Sequence, residues 1–130
     1  MSGCLQLDVG NSAAKWRLLE GGQVTARGRY CPDDAVSRAA LLQCSDEPDD
    51  IWISSGAGPG VEAELSALLQ ERWGIAPWFA RSAGRCGGLV NSYRDPSRMG
   101  VDRWLAMLGA RRQCAGRLCV VDAGSALTID

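Results

Sequence analysis

Near the start of the chain, an acid, a glycine and a lysine lie close together in a pattern suited to binding phosphate. The segment follows an apolar stretch and runs Asp8-Val9-Gly10-Asn11-Ser12-Ala13-Ala14-Lys15. Gly10 would let a ligand approach the backbone, and Asn11 and Ser12 supply amide and hydroxyl donors. Asp8 could hold a hydrated Mg²⁺, and Lys15 is the only lysine in the chain. The pattern predicts a nucleotide phosphate site, although the same residues are also typical of an ordinary hairpin turn.

A second segment, late in the chain, repeats this order of residue types. It runs Val120-Val121-Asp122-Ala123-Gly124-Ser125-Ala126-Leu127-Thr128, which is again an apolar strand, an acid, a small residue, a glycine and a hydroxyl. Two such turns facing each other could hold a polyphosphate and its cation from both sides. Any buried strand can end in Asp and Gly, but the repetition favours a functional site.

The chain contains no histidine, which limits the catalytic mechanisms open to it. Ser-His and Cys-His mechanisms are excluded, so a general base would be Asp or Glu, with Lys, Tyr or Cys as less usual choices. The cysteines form no Cys-x-x-Cys pair and lie at Cys4, Cys31, Cys44, Cys86, Cys114 and Cys119. Scattered single positions do not indicate a zinc site, and we expect these residues to be small, buried and apolar.

The composition is that of one globular unit without a charge signal for a polyanionic partner. The 130 residues are 46% hydrophobic and 22% charged, with a net charge of −1. This charge gives no case for nucleic acid or an anionic membrane surface. No apolar run reaches the roughly 20 residues that span a bilayer, and no secretion signal is apparent. The sequence therefore predicts a cytoplasmic protein with no membrane or nucleic-acid partner.

Hydrophobic periodicity predicts an α/β fold around a mixed sheet, with helices packed on it. Three strands would form an antiparallel meander at the start of the chain, at 4–9, 14–19 and 23–30. Helices are predicted at 32–44, 61–73 and 102–115, and further strands at 51–55, 76–80, 118–122 and 126–130. The connection at 81–88 is predicted to be a loop.

Three motifs, in order along the chain, resemble those of the type III pantothenate kinases. One is Asp8-x-Gly-Asn-Ser with Lys15, and another is Asp122-x-Gly-Ser-Ala-x-Thr128. Between them, Asn91-x-Tyr93 is followed by Pro96-x-x-x-Gly-x-Asp-Arg103 at a helix start. Each motif alone is weak, but together they are specific and cover nearly the whole chain. This family belongs to the acetate and sugar kinase, Hsc70 and actin superfamily.

The resemblance implies ATP-dependent phosphorylation of pantothenate to 4'-phosphopantothenate, the first step of coenzyme A biosynthesis. ATP would be contacted by Asp8, Val9, Gly10, Asn11, Ser12, Ala13, Ala14, Lys15 and Ser125, with Asp8 near Mg²⁺. Pantothenate would be bound by Tyr93, Gly100, Val101, Asp102 and Arg103. Asp102 would be the catalytic general base, and Asp122 would hold a monovalent cation, K⁺ or NH₄⁺.

The three central residues of the acceptor motif also have purely structural explanations. Asp102 could be a helix N-cap, Arg103 a solvated residue on the helix face, and Tyr93 a half-buried loop aromatic. The chemistry nevertheless suits phosphoryl transfer, which needs positioning and charge neutralisation, with a carboxylate near the attacking hydroxyl. A helix N-terminus favours a negative charge, and an arginine can make a two-pronged contact with a carboxylate or phosphate. Trp104 is expected in the core.

The resemblance further implies a ribonuclease H-like (actin-like ATPase) fold, which in this superfamily is duplicated. Residues 1–116 would form the N-terminal domain, and 117–130 would begin the second. Ser12 and Ser125 stand where the family usually has threonine, which keeps the hydroxyl. In the family the second domain completes the cleft and supplies most of a dimer interface. We therefore expect a homodimer for the full-length protein, and little or no activity for these 130 residues alone.

Two other functions are compatible with the sequence. One is a different kinase or phosphatase of the same superfamily, although the acceptor motif at 91–103 argues against it. The other is a non-catalytic relative that acts as an accessory factor for transcription. The near-neutral charge and the lack of a basic helix argue against direct contact of such a factor with DNA.

Overall fold

The computed structural model describes residues 3–123 and 127–130. The chain divides into two compact units, one ending at Ala80 and the other beginning at Arg81. The first unit is an α/β structure with a five-stranded mixed sheet. The fold class predicted from hydrophobic periodicity is therefore confirmed, whereas the domain boundary after residue 116 stays a prediction.

The sheet of the first unit begins with the predicted antiparallel meander. Its strands are β1 (Gly3–Val9), β2 (Ala14–Glu20), β3 (Gln23–Tyr30), β4 (Asp50–Ser55) and β5 (Trp78–Phe79). The order across the sheet is β3-β2-β1-β4-β5, with β4 parallel to β1 and β5 parallel to β4. The predicted strand at 76–80 shortens to two residues.

Two helices cover one face of this sheet, α1 (Ala35–Leu42) and α2 (Pro59–Trp73). The Asp34 carboxylate caps α1 by accepting the Val36 backbone N–H at 3.2 Å. Alternation along each strand directs apolar side chains toward the helices. The resulting core contains Leu5, Leu7, Val9, Ala14, Trp16, Leu18, Tyr30, Leu41, Ile51, Ile53, Leu65 and Leu69.

The other face of the sheet is polar along its meander and aromatic beyond it. Arg27 and Arg29 of β3 lie opposite Arg17 and Lys15 of β2. Trp52 and Trp78 lie on β4 and β5, with ring centroids 6.2 Å apart in an edge-to-face arrangement. β3 is an edge strand of the described sheet, and its pairing with β2 shifts register between Leu18 and Leu19.

The second unit contains short strands around one long helix. Its elements are β6 (Arg85–Cys86), β7 (Leu89–Val90), a 3-10 turn at Pro96–Arg98, α3 (Val101–Gln113), β8 (Val121–Ala123) and β9 (Leu127–Ile129). Trp104 of α3 is 2% exposed, which confirms its predicted place in a core. Among the described residues, no helix has the length and apolar character needed to cross a membrane.

Two sequence predictions in this unit are wrong. Residues 81–88 are not only a loop, because β6 pairs with β7 through Gly87 and Gly88, whose φ angles are 56° and 79°. Strands of two residues are too short to show periodicity, although Gly-Gly is itself a hairpin signal. The predicted strand at 118–122 begins only at Val121, and its partner β9 begins at Leu127.

The prediction that the cysteines are buried is also wrong for half of them. Cys86, Cys114 and Cys119 are exposed, while Cys4, Cys31 and Cys44 are partly buried, and all six are free thiols. The exposed cysteines lie in the β6–β7 hairpin and in the segment after α3. Neither region shows an apolar period, so residue type alone gave no reliable guide to burial.

Alkylation should therefore separate the thiols by rate. Iodoacetamide at neutral pH should modify Cys86, Cys114 and Cys119 first and Cys44 last, because burial raises the pKa of the Cys44 thiol and restricts access to it. Mass spectrometry of peptides from timed quenches measures the order. A Cys119→Ser control should remove one fast adduct and leave the others unchanged. Equal rates at Cys44 and Cys119 would contradict the described burial.

Candidate active site

The predicted phosphate segment forms a tight turn between β1 and β2. The Gly10 backbone N–H donates to the Ala13 carbonyl oxygen at 2.9 Å. A Cβ added to Gly10 would lie 3.4 Å from that same oxygen, so the absence of a side chain suits the closed turn. Asn11 and Ser12 are exposed at the turn, where their donors are available to a ligand.

Asp8 and Lys15 lie side by side at the end of the sheet. They are register partners across β1 and β2, and Ser54 is the register partner of Asp8 on β4. Directly opposed residues have Cβ atoms about 4.5–5.5 Å apart on one face of the sheet. Asp8 and Lys15 are exposed there. A carboxylate, an ammonium group and the hydroxyl of Ser54 therefore lie on neighbouring strands beside the turn.

The same turn also borders a cleft on the helix-covered side of the sheet. Its lining includes the turn, Tyr30, Pro32, Glu64 and Leu65. Val9 and Ala14 face this side and are buried, so their neighbours Asp8 and Lys15 face the other way. A phosphate bound by the Lys15 ammonium would therefore lie on the outer face and not in this cleft.

In the second unit, a buried asparagine fixes the loop that carries Tyr93. Asn91 is 8% exposed, and its amide nitrogen donates to the carbonyl oxygens of Ala83 and Pro96 at 3.2 and 3.3 Å. Its amide oxygen accepts the Tyr93 backbone N–H at 3.0 Å. Asn91, which the sequence shows only as one position of a motif, therefore orders this loop through its side chain.

Further contacts lead this loop to the start of α3. The Ser82 hydroxyl donates to the Met99 carbonyl oxygen at 2.7 Å. The Asp95 carboxylate accepts the Ser97 backbone N–H at 3.1 Å and caps the 3-10 turn. These hydrogen bonds hold the segment that precedes α3, and Gly100 is the N-cap residue of that helix.

Asp102 lies in the first turn of α3 and is exposed. The N-cap residue is Gly100, which has no side chain to cap the helix, so the explanation of Asp102 as an N-cap is wrong. A Cβ added to Gly100 would lie 2.8 Å from Asp102 Oδ1. The glycine at this position therefore leaves room for the Asp102 carboxylate, which is a candidate general base at a helix N-terminus.

Arg103 makes direct contact with Tyr93, its predicted partner in the acceptor site. Its Nη1 donates to the Tyr93 hydroxyl at 3.0 Å, and its guanidinium carbon lies 5.9 Å from the ring centroid. Its Nε donates to Asp130 Oδ2 at 2.9 Å, and its Nη2 donates to Asp130 Oδ1. Arg103 is therefore not a solvated helix-face residue, and its partner Asp130 lies outside the motifs identified in the sequence.

The contact with Asp130 keeps both side chains ionised. Hydrogen bonds from Arg103 lower the pKa of the Asp130 carboxyl group. The same hydrogen bonds, followed by that to Tyr93, raise the pKa of the Arg103 guanidinium above its usual range. An arginine and an aspartate 27 residues apart show no local pattern, so the pair could not be predicted from spacing.

The Arg103–Asp130 pair should make stability depend on pH in the acid range. Folding lowers the pKa of the Asp130 carboxyl group, so its ionised form stabilises the folded state. This contribution to the free energy of unfolding is complete above the ordinary carboxyl pKa of about 4. It is lost as the pH falls through the lowered pKa of the folded state. The melting temperatures of wild type and Asp130→Asn, measured calorimetrically from pH 7 to pH 2, should differ most at neutral pH and converge in acid. A gap that does not change with pH would contradict this.

The hairpin of β8 and β9 carries two acids on one face. Asp122 is the register partner of Thr128, and Val120 and Asp130 exchange backbone hydrogen bonds of 2.8 and 2.9 Å at the open end. Because alternate residues share a face, Asp122 and Asp130 lie on the same side of the hairpin. Ser125, predicted to contact ATP, lies outside the residues that the structure describes.

The acidic residues of the described chain can be compared with the ligands that Mg²⁺ requires. Within 3–123 and 127–130, no three acidic or cysteine side chains come together as a ready-made ligand cage. Mg²⁺ in kinases is held by one or two carboxylates together with substrate phosphates and water. Asp8, exposed beside the phosphate turn, has the donor chemistry for such a site.

The fold is of the α/β class, and its acidic, glycine-containing turn is typical of proteins that bind phosphate. A family model described as type III pantothenate kinase matches residues 4–130. The chain therefore belongs to the type III pantothenate kinase family, which confirms the resemblance of its motifs.

Individual relatives carry the same name. A type III pantothenate kinase from Thiobacillus denitrificans is 39% identical over 131 residues, covering 100% of this chain and 52% of the relative. Those from Nitrosococcus oceani and Alcanivorax borkumensis are 32% and 36% identical, covering 97% of this chain and 50% and 52% of themselves. The chain thus spans about half the length of the curated relatives it matches.

Proposed function

We propose that this chain supplies the phosphate turn, the acceptor residues and the general base of an ATP-dependent pantothenate kinase. The product would be 4'-phosphopantothenate, formed in the first step of coenzyme A biosynthesis. The observation that carries the proposal is the contact between Tyr93 and Arg103 beside Asp102, at three positions of the family's acceptor motif.

In the proposed reaction, the side chains of α3 act on the acceptor. The pantothenate hydroxyl oxygen attacks the γ-phosphorus of ATP, its proton passes to the Asp102 carboxylate, and the bond to the β-phosphate oxygen breaks to release ADP. Arg103 and Tyr93 bind the acceptor, together with the backbone of Gly100 and Val101. Positioning supplies most of the acceleration in such reactions, because little covalent chemistry is asked of the protein.

The turn between β1 and β2 is proposed to bind the donor. Backbone and side-chain donors from Gly10 to Ser12 and the Lys15 ammonium would contact ATP phosphates, and Ser125 would add a hydroxyl. When bound, Mg²⁺ at Asp8 would neutralise phosphate charge, and Asp122 would hold a monovalent cation, K⁺ or NH₄⁺. The exposed positions of Asp8 and Lys15 on one face of the sheet support this assignment.

The finer description of the fold belongs to the same proposal. The strand order β3-β2-β1-β4-β5, with its leading meander, supports a ribonuclease H-like, actin-like ATPase fold. We further propose that residues 117–130 begin a second domain of this kind, and that the full-length protein is a homodimer. That this chain covers only about half of its relatives supports the proposed second domain.

The function can be tested with the product of the complete reading frame. Coupled detection of ADP, with mass spectrometry of the product, should show release that depends on pantothenate and yields 4'-phosphopantothenate. A panel of other alcohol acceptors provides the comparison. Release that is independent of pantothenate, or that requires a different acceptor, would overturn the proposal. The purified 130-residue chain is expected to show little or no turnover.

A further inference from the structure

We propose that Asp130 is a positioning residue of the acceptor site, which holds the Arg103 guanidinium in the orientation that receives the carboxylate of pantothenate. The inference rests on the proposed function and assigns a new role within it. Asp130 does not act on the reacting atoms but acts through Arg103.

The geometry of the pair is that of a side-on fork. Nε and Nη2, which form one edge of the guanidinium, donate to Oδ2 and Oδ1 of the same carboxylate. Such two-pronged contacts fix the plane of the guanidinium as well as its position. Asp130 is only 10% exposed and Arg103 26% exposed, so water competes weakly for this contact compared with a surface pair.

The remaining donors of Arg103 are sufficient for a substrate. A guanidinium has five N–H groups, and the contacts with Asp130 and Tyr93 use three of them. Among the contacts of the described residues this leaves two N–H groups, one on each terminal nitrogen, which is the number needed for a two-pronged contact with a carboxylate. The Tyr93 hydroxyl lies 3.0 Å from Nη1 and is a second polar group next to these donors.

The backbone at Asp130 is itself held, which makes this residue a suitable anchor. Its N–H and carbonyl groups exchange hydrogen bonds with Val120, at the open end of the β8–β9 hairpin. Asp122 lies on the same face of that hairpin, two residues from the end. The Arg103–Asp130 pair thus connects the helix that carries Asp102 to the hairpin that carries the proposed cation ligand.

Loss of Asp130 should affect acceptor binding more than the chemical step. An arginine side chain that is not held in place must lose rotamer entropy when it binds the substrate, which weakens binding. Removal of a two-pronged ionic partner should raise the KM for pantothenate by about tenfold. The KM for ATP should stay within about twofold, because Arg103 is assigned to the acceptor and not to ATP.

The experiment compares Asp130→Asn, Asp130→Glu and Arg103→Lys in the product of the complete reading frame. Steady-state kinetics give KM for each substrate and kcat. ¹H–¹⁵N spectra report the Arg103 Nε–H, which Arg103→Lys identifies by its loss. Glu71→Gln, an exposed change of carboxylate to amide on α2, is the matched control.

The expected result is a raised KM for pantothenate in Asp130→Asn, partial recovery in Asp130→Glu, and a weakened Nε–H signal in Asp130→Asn. Adding Asp130→Asn to Arg103→Lys should change the KM for pantothenate little beyond that of Arg103→Lys alone, because Asp130 acts only through Arg103. A merely structural role would instead lower kcat or raise both KM values together, with the control unchanged.

Two failures can be told apart. If wild type phosphorylates pantothenate but Asp130→Asn keeps its KM within about twofold, the positioning role is wrong and the proposed function stands. If wild type shows no pantothenate-dependent turnover, the proposed function fails and this inference fails with it.

Discussion

Replacing Asp102 with asparagine should lower kcat for pantothenate phosphorylation by about 10²–10⁴-fold, the range typical of losing a general base. The amide has nearly the same shape as the carboxylate but cannot accept the hydroxyl proton. Asp102 is exposed in the first turn of α3 and does not cap the helix. Stability should therefore change by at most about 1 kcal/mol, from the lost charge near the helix N-terminus.

A second variant tests the position of this carboxylate without removing it. Gly100→Ala would place a Cβ 2.8 Å from Asp102 Oδ1, so the side chain must rotate away while the backbone can remain. We expect lower kcat with little loss of stability. Gly109→Ala is the control on the same helix, since nothing lies within 4 Å of an added Cβ there. If Asp102→Asn kept the wild-type kcat, Asp102 would not be the general base.

Gly28→Ala should destabilise the first unit by about 1–3 kcal/mol, the usual cost of overpacking a core. An added Cβ would lie 2.7 Å from Cζ2 and 2.9 Å from Cε2 of Trp16, which is the register partner of Gly28. That ring is 7% exposed and belongs to the core, so it has little room to move. Chemical denaturation followed by circular dichroism measures the change.

The matched control for this change is Gly60→Ala in the first turn of α2. It is exposed, and nothing lies within 4 Å of an added Cβ. A glycine-to-alanine change without strain stabilises by about 0.4–1 kcal/mol, by restricting the unfolded chain. Opposite signs for the two variants are expected. Equal stabilisation in both would show that Trp16 does not lie against Gly28.

The sequence predicted the first unit well because its elements are long enough to show a period. In β3, Ala26, Gly28 and Tyr30 face inward while Arg27 and Arg29 are exposed, as alternation predicts. The pairing of such strands depends on which side chains share a face, and the alternation within each strand's own sequence shows this. The indole N–H of Trp16, which has no hydrogen-bond partner among the described residues, is a detail that no pattern revealed.

The contacts around the proposed acceptor residues could be predicted only in part. Tyr93, Asp102 and Arg103 were identified by motif, and the structure shows that Tyr93 and Arg103 touch. Asp130 was missed because its contact with Arg103 depends on how a hairpin and a helix pack. The motif includes Asn91 but does not reveal its structural role, because the order of residues does not show whether a loop side chain is buried.

The edge strand β3 has a consequence for association between copies of the protein. As an edge strand of the described sheet, eight residues long, β3 is a template on which another chain could continue the sheet. Here the incoming strand would meet Arg27 and Arg29 next to Lys15 and Arg17, a concentration of like charge that repels an identical strand. Self-association through the edge strand β3 is therefore disfavoured, and its arginines oppose fibre-like aggregation.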